Sequence, residues 1–349
     1  MATTTTTIDE ALELLEGTGP EYGGGLANHG PMAAEALFAL GRVEAAVPWA
    51  ENYRRRLQEH PSAGNAIVAD EWREALGDGR RVGDWVAFFD RELAASPWRD
   101  VLDTWVARLA PALIAAATHG AIRTGHAARS LAAAETPLRL HELAEGLGYW
   151  AARYYTLPGA PSGRDQGLAP SQAIERVQPL SPEAQQGAGL ITVGLARLRE
   201  HPAFADTVDL VATGDDASAF ISDLTQTFAG VYLANASDFL RTISFIHSVT
   251  GPSAVRLIAP HVSPETARAA LRYAWQAGAA LYAAFGSTPG GAPDAAPDGD
   301  IDDLIDRAVA TGDEHAIKFT EACLREHALN PKPVYLAAAR DAVERLRPR

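Results

Sequence analysis

The sequence predicts an all-α protein, a single large helical domain folded as an irregular multi-helix bundle. Three observations predict it. Alanine- and leucine-rich segments of helical period recur from one end of the chain to the other. No run alternates apolar and polar residues as a strand does, and no tight hairpin dipeptide lies between apolar runs. No loop separates regions of different composition, so residues 7–349 read as one domain.

Taken in order, residues 1–6 read as a disordered tail, and Thr7 with Glu10 makes a T-x-x-E capping box that opens a helix through Glu16. Residues 17–30, GTGPEYGGGLANHG, form a glycine-rich loop, and Pro31 suits the first turn of the helix that follows. Helical segments then cover 82–94, 101–110, 111–134, 140–155, 182–201, 217–249, 264–285, 300–311 and 333–347. Residues 157–181 form a long surface connection, and 286–299, GSTPGGAPDAAPDG, a mobile loop or a lid over a pocket.

Composition narrows the function. Apolar residues make up 47% and charged residues 21%, the balance of a chain that folds. The net charge of −14 repels phosphate backbones and anionic lipid heads, so neither nucleic acid nor a membrane surface is an expected partner, whereas a small organic substrate of little charge is compatible. The first residues, MATTTTTIDEA, lack a basic and an apolar signal region, and no stretch is long enough to span a bilayer. One cysteine, Cys323, excludes an internal disulfide and Cys-rich metal sites. These features read as cytoplasmic. No strand precedes a G-x-G-x-x-G, and no P-loop or G-x-S-x-G occurs, which argues against nucleotide-binding and serine-hydrolase chemistry.

The histidines remain. Of ten, His60, His201 and His327 sit in charged contexts and read as exposed helix ends, while His141 and His261 read as structural. His119 and His126 lie two helical turns apart on one face. They converge on one metal only by leaning together; otherwise one ligates and the other meets substrate or a carboxylate. Arg123 lies one turn past His119 on the same helix. His247 follows an apolar turn and precedes a helix stop, either reaching a cavity or packed, and His29 ends the glycine-rich loop at a helix start. His315 and Lys318 share a face at i, i+3, a spacing that helical-bundle metal sites fill with Glu-x-x-His.

Lys318 and Lys332 are the only lysines among 30 basic residues, which hints at chemistry that a guanidinium cannot perform. Buried, Lys318 would be a neutral amine able to add CO₂ and become an anionic carbamate ligand; the alternative is a salt bridge to Glu314. Within GYWAARYY, Tyr149, Trp150 and Tyr154 either wall a pocket for an aromatic substrate or belong to the core.

The blocks GGLANHGPMAAEALFALGR, THGAIRTGHAARSL, GYWAARYY, FIHSVTGPSAVRL and DEHAIKFTEA, in this order over about residues 22–324, resemble the questin oxidase-like family. The resemblance implies O₂-dependent oxidative ring opening of aromatic polyketides such as anthraquinones, by a non-haem Fe(II) dioxygenase or by a Baeyer–Villiger-type oxidase with NADPH as co-substrate. It also implies an iron site of four histidines and a carboxylated lysine. Carried over, the lysine is Lys318, and the histidines come from His29, His119, His126, His247 and His315, with His126 first to stand aside; His126 and Arg123 then remain as catalytic candidates. A zinc hydrolase and a non-catalytic helical scaffold are the competing readings, and the sequence is compatible with a homo-oligomer.

Overall fold

The structure, a computed structural model, describes residues 7–214, 216–291, 293 and 299–348. The expected tail at 1–6 lies outside the described residues.

Helix α1 (Ile8–Leu15) opens as its capping signal requires, with the Glu10 carboxylate accepting the Thr7 N–H at 3.3 Å and Ile8, Ala11, Leu12 and Leu15 forming its buried stripe. The glycine-rich loop holds a small hairpin that the sequence did not announce. Strands β1 (Glu21–Tyr22) and β2 (Leu26–Ala27) pair antiparallel. Gly23, Gly24 and Gly25 close them at φ +56, +86 and +114, a path that a Cβ would obstruct. Helices α2 (Gly30–Ala39), α3 (Val43–Tyr53), α4 (Val82–Ala95) and α5 (Trp98–Leu109) follow.

The helix expected over 111–134 breaks in the middle. Ala116, Ala117 and Thr118 take φ +48, +56 and +71, and only then does α6 (His119–Ala133) begin. Local propensity cannot foresee this, because alanine is the best helix former and a left-handed residue costs about 1–2 kcal/mol. Tertiary packing holds the turn: Leu113, Ile114 and Thr118 are buried, and Thr118 lies over Gly251, where a Cβ would come to 3.1 Å from it. Helix α7 (Pro137–Ala152) then crosses α6 at Gly120.

The helix expected over 182–201 is fragmented. Over 182–201 stand two short helices, α9 (Pro182–Gln185) and α10 (Ile191–Ala196), after the four-residue α8 (Pro170–Ala173) and before the 3₁₀ turns near 200. Gly187 and Gly189, at φ +70 and +64, end the helical path. The segment 217–249 divides into α11 (Ala217–Asn235) and α12 (Phe239–Ile258), with the Asp238 side chain accepting the Arg241 N–H at 2.9 Å as the new cap. Helix α12 runs on through Gly251 and Pro252, so the helix stop expected after His247 is absent.

Helix α13 (Pro264–Phe285) leads into the segment expected to be mobile. Its described start is strapped down: the Ser287 and Thr288 N–H groups donate to Asn235 Oδ1 at 2.8 and 3.1 Å, and Gly290 is pressed on the backbone of Gly230. Residues 292 and 294–298 of that loop lie outside the described residues. Helices α14 (Ile301–Ala310), α15 (Glu314–Leu329) and α16 (Pro333–Arg345) complete the chain.

A continuous apolar core, with Trp85, Trp105, Trp150 and Trp275 fully buried, runs from Ile67 to Leu346. Beside it α2, α6, α12 and α15 pack in a ring, each against the next, and this ring positions the site. Among the described residues no helix is long and apolar enough to cross a membrane.

Candidate metal centre

One histidine from each helix of the ring meets at its centre. His29 stands immediately before α2, His119 is the first residue of α6, His315 the second of α15, and His247 lies in the middle of α12. Ring centroids are 4.5 Å apart for His29–His119, His29–His315 and His119–His247, 5.6 Å for His247–His315 and 6.5 Å for His29–His247, so His247 joins the set through His119. One ring nitrogen from each of His29, His119 and His315 lies within 4.8 Å of the other two. His29 is 3% exposed, His119 7% and His247 1%, so imidazoles are brought together where water cannot solvate them.

The tautomers follow from the partners. His119 Nδ1 faces the Ala116 carbonyl and His247 Nδ1 faces the Ile243 carbonyl at 2.7 Å. A carbonyl only accepts, so each Nδ1 carries the proton and donates it. Both Nε2 atoms are then bare lone pairs, and they point at each other across 3.0 Å. Two acceptors at that distance repel unless a cation or a proton lies between them. His29 Nδ1 is likewise buried with no hydrogen-bond partner. The left-handed turn before α6 thus has a function: it delivers Ala116 O to His119 Nδ1 and frees Nε2 for the centre.

Electrostatics keep His29, His119 and His247 neutral. Burial, then the charge of Lys318 and the neighbouring imidazoles, pushes His29 well below the ordinary imidazole range. Burial does the same to His119 and His247. His29 and His119 stand at helix N-termini, whose positive ends also disfavour a protonated ring. One residue that sequence alone did not single out is Asp313. It caps α15 by accepting the His315 and Ala316 N–H groups at 2.8 and 3.1 Å, and its carboxylate lies 3.5 Å from His315 Nδ1. Although burial acts upward on Asp313, the His315 contact and these N–H donors hold its carboxyl below its usual range.

Lys318 lies one turn past His315 and is 2% exposed. The salt bridge to Glu314 weighed from the sequence does not form; Glu314 pairs instead with Arg56 at 3.6 Å, and among the described residues Lys318 makes no ion pair. Burial pushes its amine down to about 8, against an upward pull from Glu314 and Asp313.

His126 is not brought into the set. Its Nδ1 donates to Glu35 Oε2 at 2.6 Å, two turns along α6 from His119, which is the carboxylate-partnered alternative of the sequence reading. Arg123 turns to α7, where Glu142 and Glu145 take its guanidinium at 2.6 and 3.2 Å, so its charge is already answered by two carboxylates. The aromatic candidates hold structure together. Trp150 is fully buried, backs onto Gly120 and donates its indole N–H to Ala112 O at 2.9 Å. The Tyr149 hydroxyl donates to Glu21 at 2.9 Å and anchors the hairpin, while Tyr154 packs half-buried against the core.

His60, read as an exposed helix end, is instead largely covered, with its Nε2 3.1 Å from buried Glu145. Glu35 and Asp313 had a signal in the sequence: a lone carboxylate in the apolar helix GPMAAEALFA, and a D-x-H start to a helix.

The donor set fits a transition metal. Imidazoles suit iron, zinc and copper, and the facing Nε2 atoms and orphaned His29 Nδ1 are groups that such an ion would satisfy. A family model described as Questin oxidase-like matches residues 26–323, more than four fifths of the chain, and takes in all four histidines and Lys318. No curated protein matches the chain.

Proposed function

The chain belongs to the questin oxidase-like family, a family of oxidases, and on that premise we propose that it is a non-haem iron oxygenase that opens a ring of an aromatic polyketide such as an anthraquinone. The observation that carries the metal reading is the 3.0 Å approach of the His119 and His247 Nε2 atoms, both Nδ1 protons being committed to carbonyls. His29, His119, His247 and His315 would hold the ion. Fe(II) bound there would supply the redox centre at which O₂ is activated.

The chain's own residues do the rest. The four imidazoles bring no negative charge, and three helix N-termini add positive potential, so an anionic donor would help to balance a divalent ion. Lys318, one turn past His315, would be that donor. Its amine, held down to about 8 by burial, adds CO₂ as R–NH₂ + CO₂ → R–NHCOO⁻ + H⁺, which replaces a cation by a carboxylate one turn from His315. Asp313 holds His315 through its Nδ1 side, leaving Nε2 for the ion. His315, with 14% of its side chain exposed, is the most open of the four, so a flat substrate would approach from its side. The surrounding burial excludes water from the other three.

The test is metal analysis of protein purified without added metal, together with O₂ uptake on an anthraquinone substrate. One iron per chain, lost in His119→Ala and His247→Ala, and O₂ consumption coupled to substrate loss are expected. Zinc at full occupancy with no iron and no O₂ uptake would replace this reading by the hydrolytic one.

A further inference from the structure

The four helices that carry the histidines are tied together a second time, about two turns further along each. His29, His119, His247 and His315 are followed after six or seven residues by Glu35, His126, Ser253 and Glu321. At 1.5 Å per residue that is a second polar layer roughly 9–10 Å below the first. Its members are bonded across helices. Glu35 of α2 accepts from His126 Nδ1 at 2.6 Å and from Arg129 Nε of α6 at 2.7 Å. The other arm of Arg129, Nη1, donates to Glu321 Oε1 of α15. Arg325 joins Glu321 at 3.0 Å to Ser253 Oγ of α12 at 2.9 Å. Arg256 of α12 adds a second tie to α15 through Glu326 at 2.7 Å.

The carboxylates and His126 sit where water is scarce, Glu35 at 6% exposed, His126 6%, Glu321 4% and Glu326 0%, while the Arg129 and Arg325 side chains reach the surface at 22% and 17%. Burial acts upward on Glu321, yet Arg325 and Arg129 hold its carboxyl far down, so it stays ionised. Glu35, Glu321 and Glu326 balance Arg129, Arg325 and Arg256, three charges of each sign with His126 neutral. A buried ion network contributes little net stability against an apolar replacement, but it fixes relative positions, because sliding any one helix breaks several charged bonds together. Along α2 and α6 the two polar layers are separated by Met32 and Ile122, which pack with Ala254 of α12. Along these two helices the layers are coupled through packing, so the lower layer acts on the upper one through geometry.

We propose that the Glu35–His126–Arg129–Glu321 network is a register clamp for the metal centre, with Glu35 and Arg129 as positioning residues that set the axial offset of α2, α6 and α15 and thereby bring His29, His119 and His315 onto one ion. The inference rests on the metal reading above. Metal sites tolerate displacements of only about 0.2 Å, so a small helix slip in this layer is felt at the histidines.

Co(II) is the probe, because its d–d absorption reports coordination number as well as affinity. Wild type is expected to bind one Co(II), and His119→Ala none; failure of either result ends the metal reading itself. With both in hand, Glu35→Gln and Arg129→Gln should weaken Co(II) about 10-fold or more and change the shape of the d–d spectrum, with helical circular dichroism retained. Arg129→Lys, which keeps charge but loses the two-armed fork, should fall between and serves if the other variants do not fold. Wild-type Co(II) affinity and an unchanged spectrum in variants whose melting temperature has dropped would show that the network only stabilises the fold, and would overturn the proposal.

Discussion

Replacing Gly120 by alanine probes whether the α6–α7 contact sets the position of His119. A Cβ at residue 120 would stand 2.6 Å from both Cα and Cβ of Trp150, whereas ordinary contact begins at 3.4 Å. Trp150 cannot yield, being fully buried and tied through its indole to Ala112 O at 2.9 Å. The two helices must therefore part by about 0.8 Å at the residue next to His119. Overpacking of this kind costs about 1–3 kcal/mol, offset by up to about 1 kcal/mol from alanine's better helix propensity, which leaves about 1–2 kcal/mol. For 349 residues the unfolding entropy is about 0.7 kcal/mol/K, so Tm should fall by about 1.5–3 °C. The displacement exceeds the roughly 0.2 Å that metal ligands tolerate, so metal affinity should fall about 10-fold or more. Calorimetry and a Co(II) titration measure the two effects. An unchanged Tm would refute the packing argument, and a lowered Tm with wild-type affinity would refute the link from Gly120 to the histidines.

Three further outcomes follow. Lys318→Met should stabilise metal-free, bicarbonate-free protein at pH 7 by about 1–3 kcal/mol, since an amine shifted from 10.5 to about 8 costs roughly 1.4 kcal/mol per unit when charged, and the gain should fade as pH rises from 8 to 10.5; metal retention should be lost, and a variant less stable than wild type would contradict the buried, unpaired amine. Glu142→Gln leaves Arg123 with one carboxylate and should cost about 2–4 kcal/mol by chemical denaturation, with the metal content of the folded fraction unchanged; metal loss would place Arg123 in the centre after all. His141, raised to about 8 first by its bond to Asp90 and then by nearby Glu145 and Glu142, adds stability that is complete below about 6.5 and lost as pH rises through about 8. The Tm difference between wild type and His141→Gln should therefore shrink from pH 6 to pH 9, and a difference that is flat or grows with pH would overturn that pairing.

The amino-acid sequence on its own settled the helical class and narrowed the chemistry to five histidines and one lysine. Helical period is a local property, written in residues three and four apart, and a lysine among arginines or a histidine among alanines stands out without any coordinates. What it could not settle was which of those residues meet. His119 and His126 are equivalent by spacing on one helix; they are told apart because Glu35 of α2 reaches His126 while His247 of α12 reaches His119. The sequence also could not place the start of α6, since alanines at 115–117 favour helix and only the burial of the preceding turn against Gly251 and its neighbours drives three residues left-handed. Asp313 was readable as a cap but not as a partner of His315. In each case the deciding term is a contact between residues far apart in the chain. Such contacts arise when helices pack into a ring, and no window along the sequence contains them.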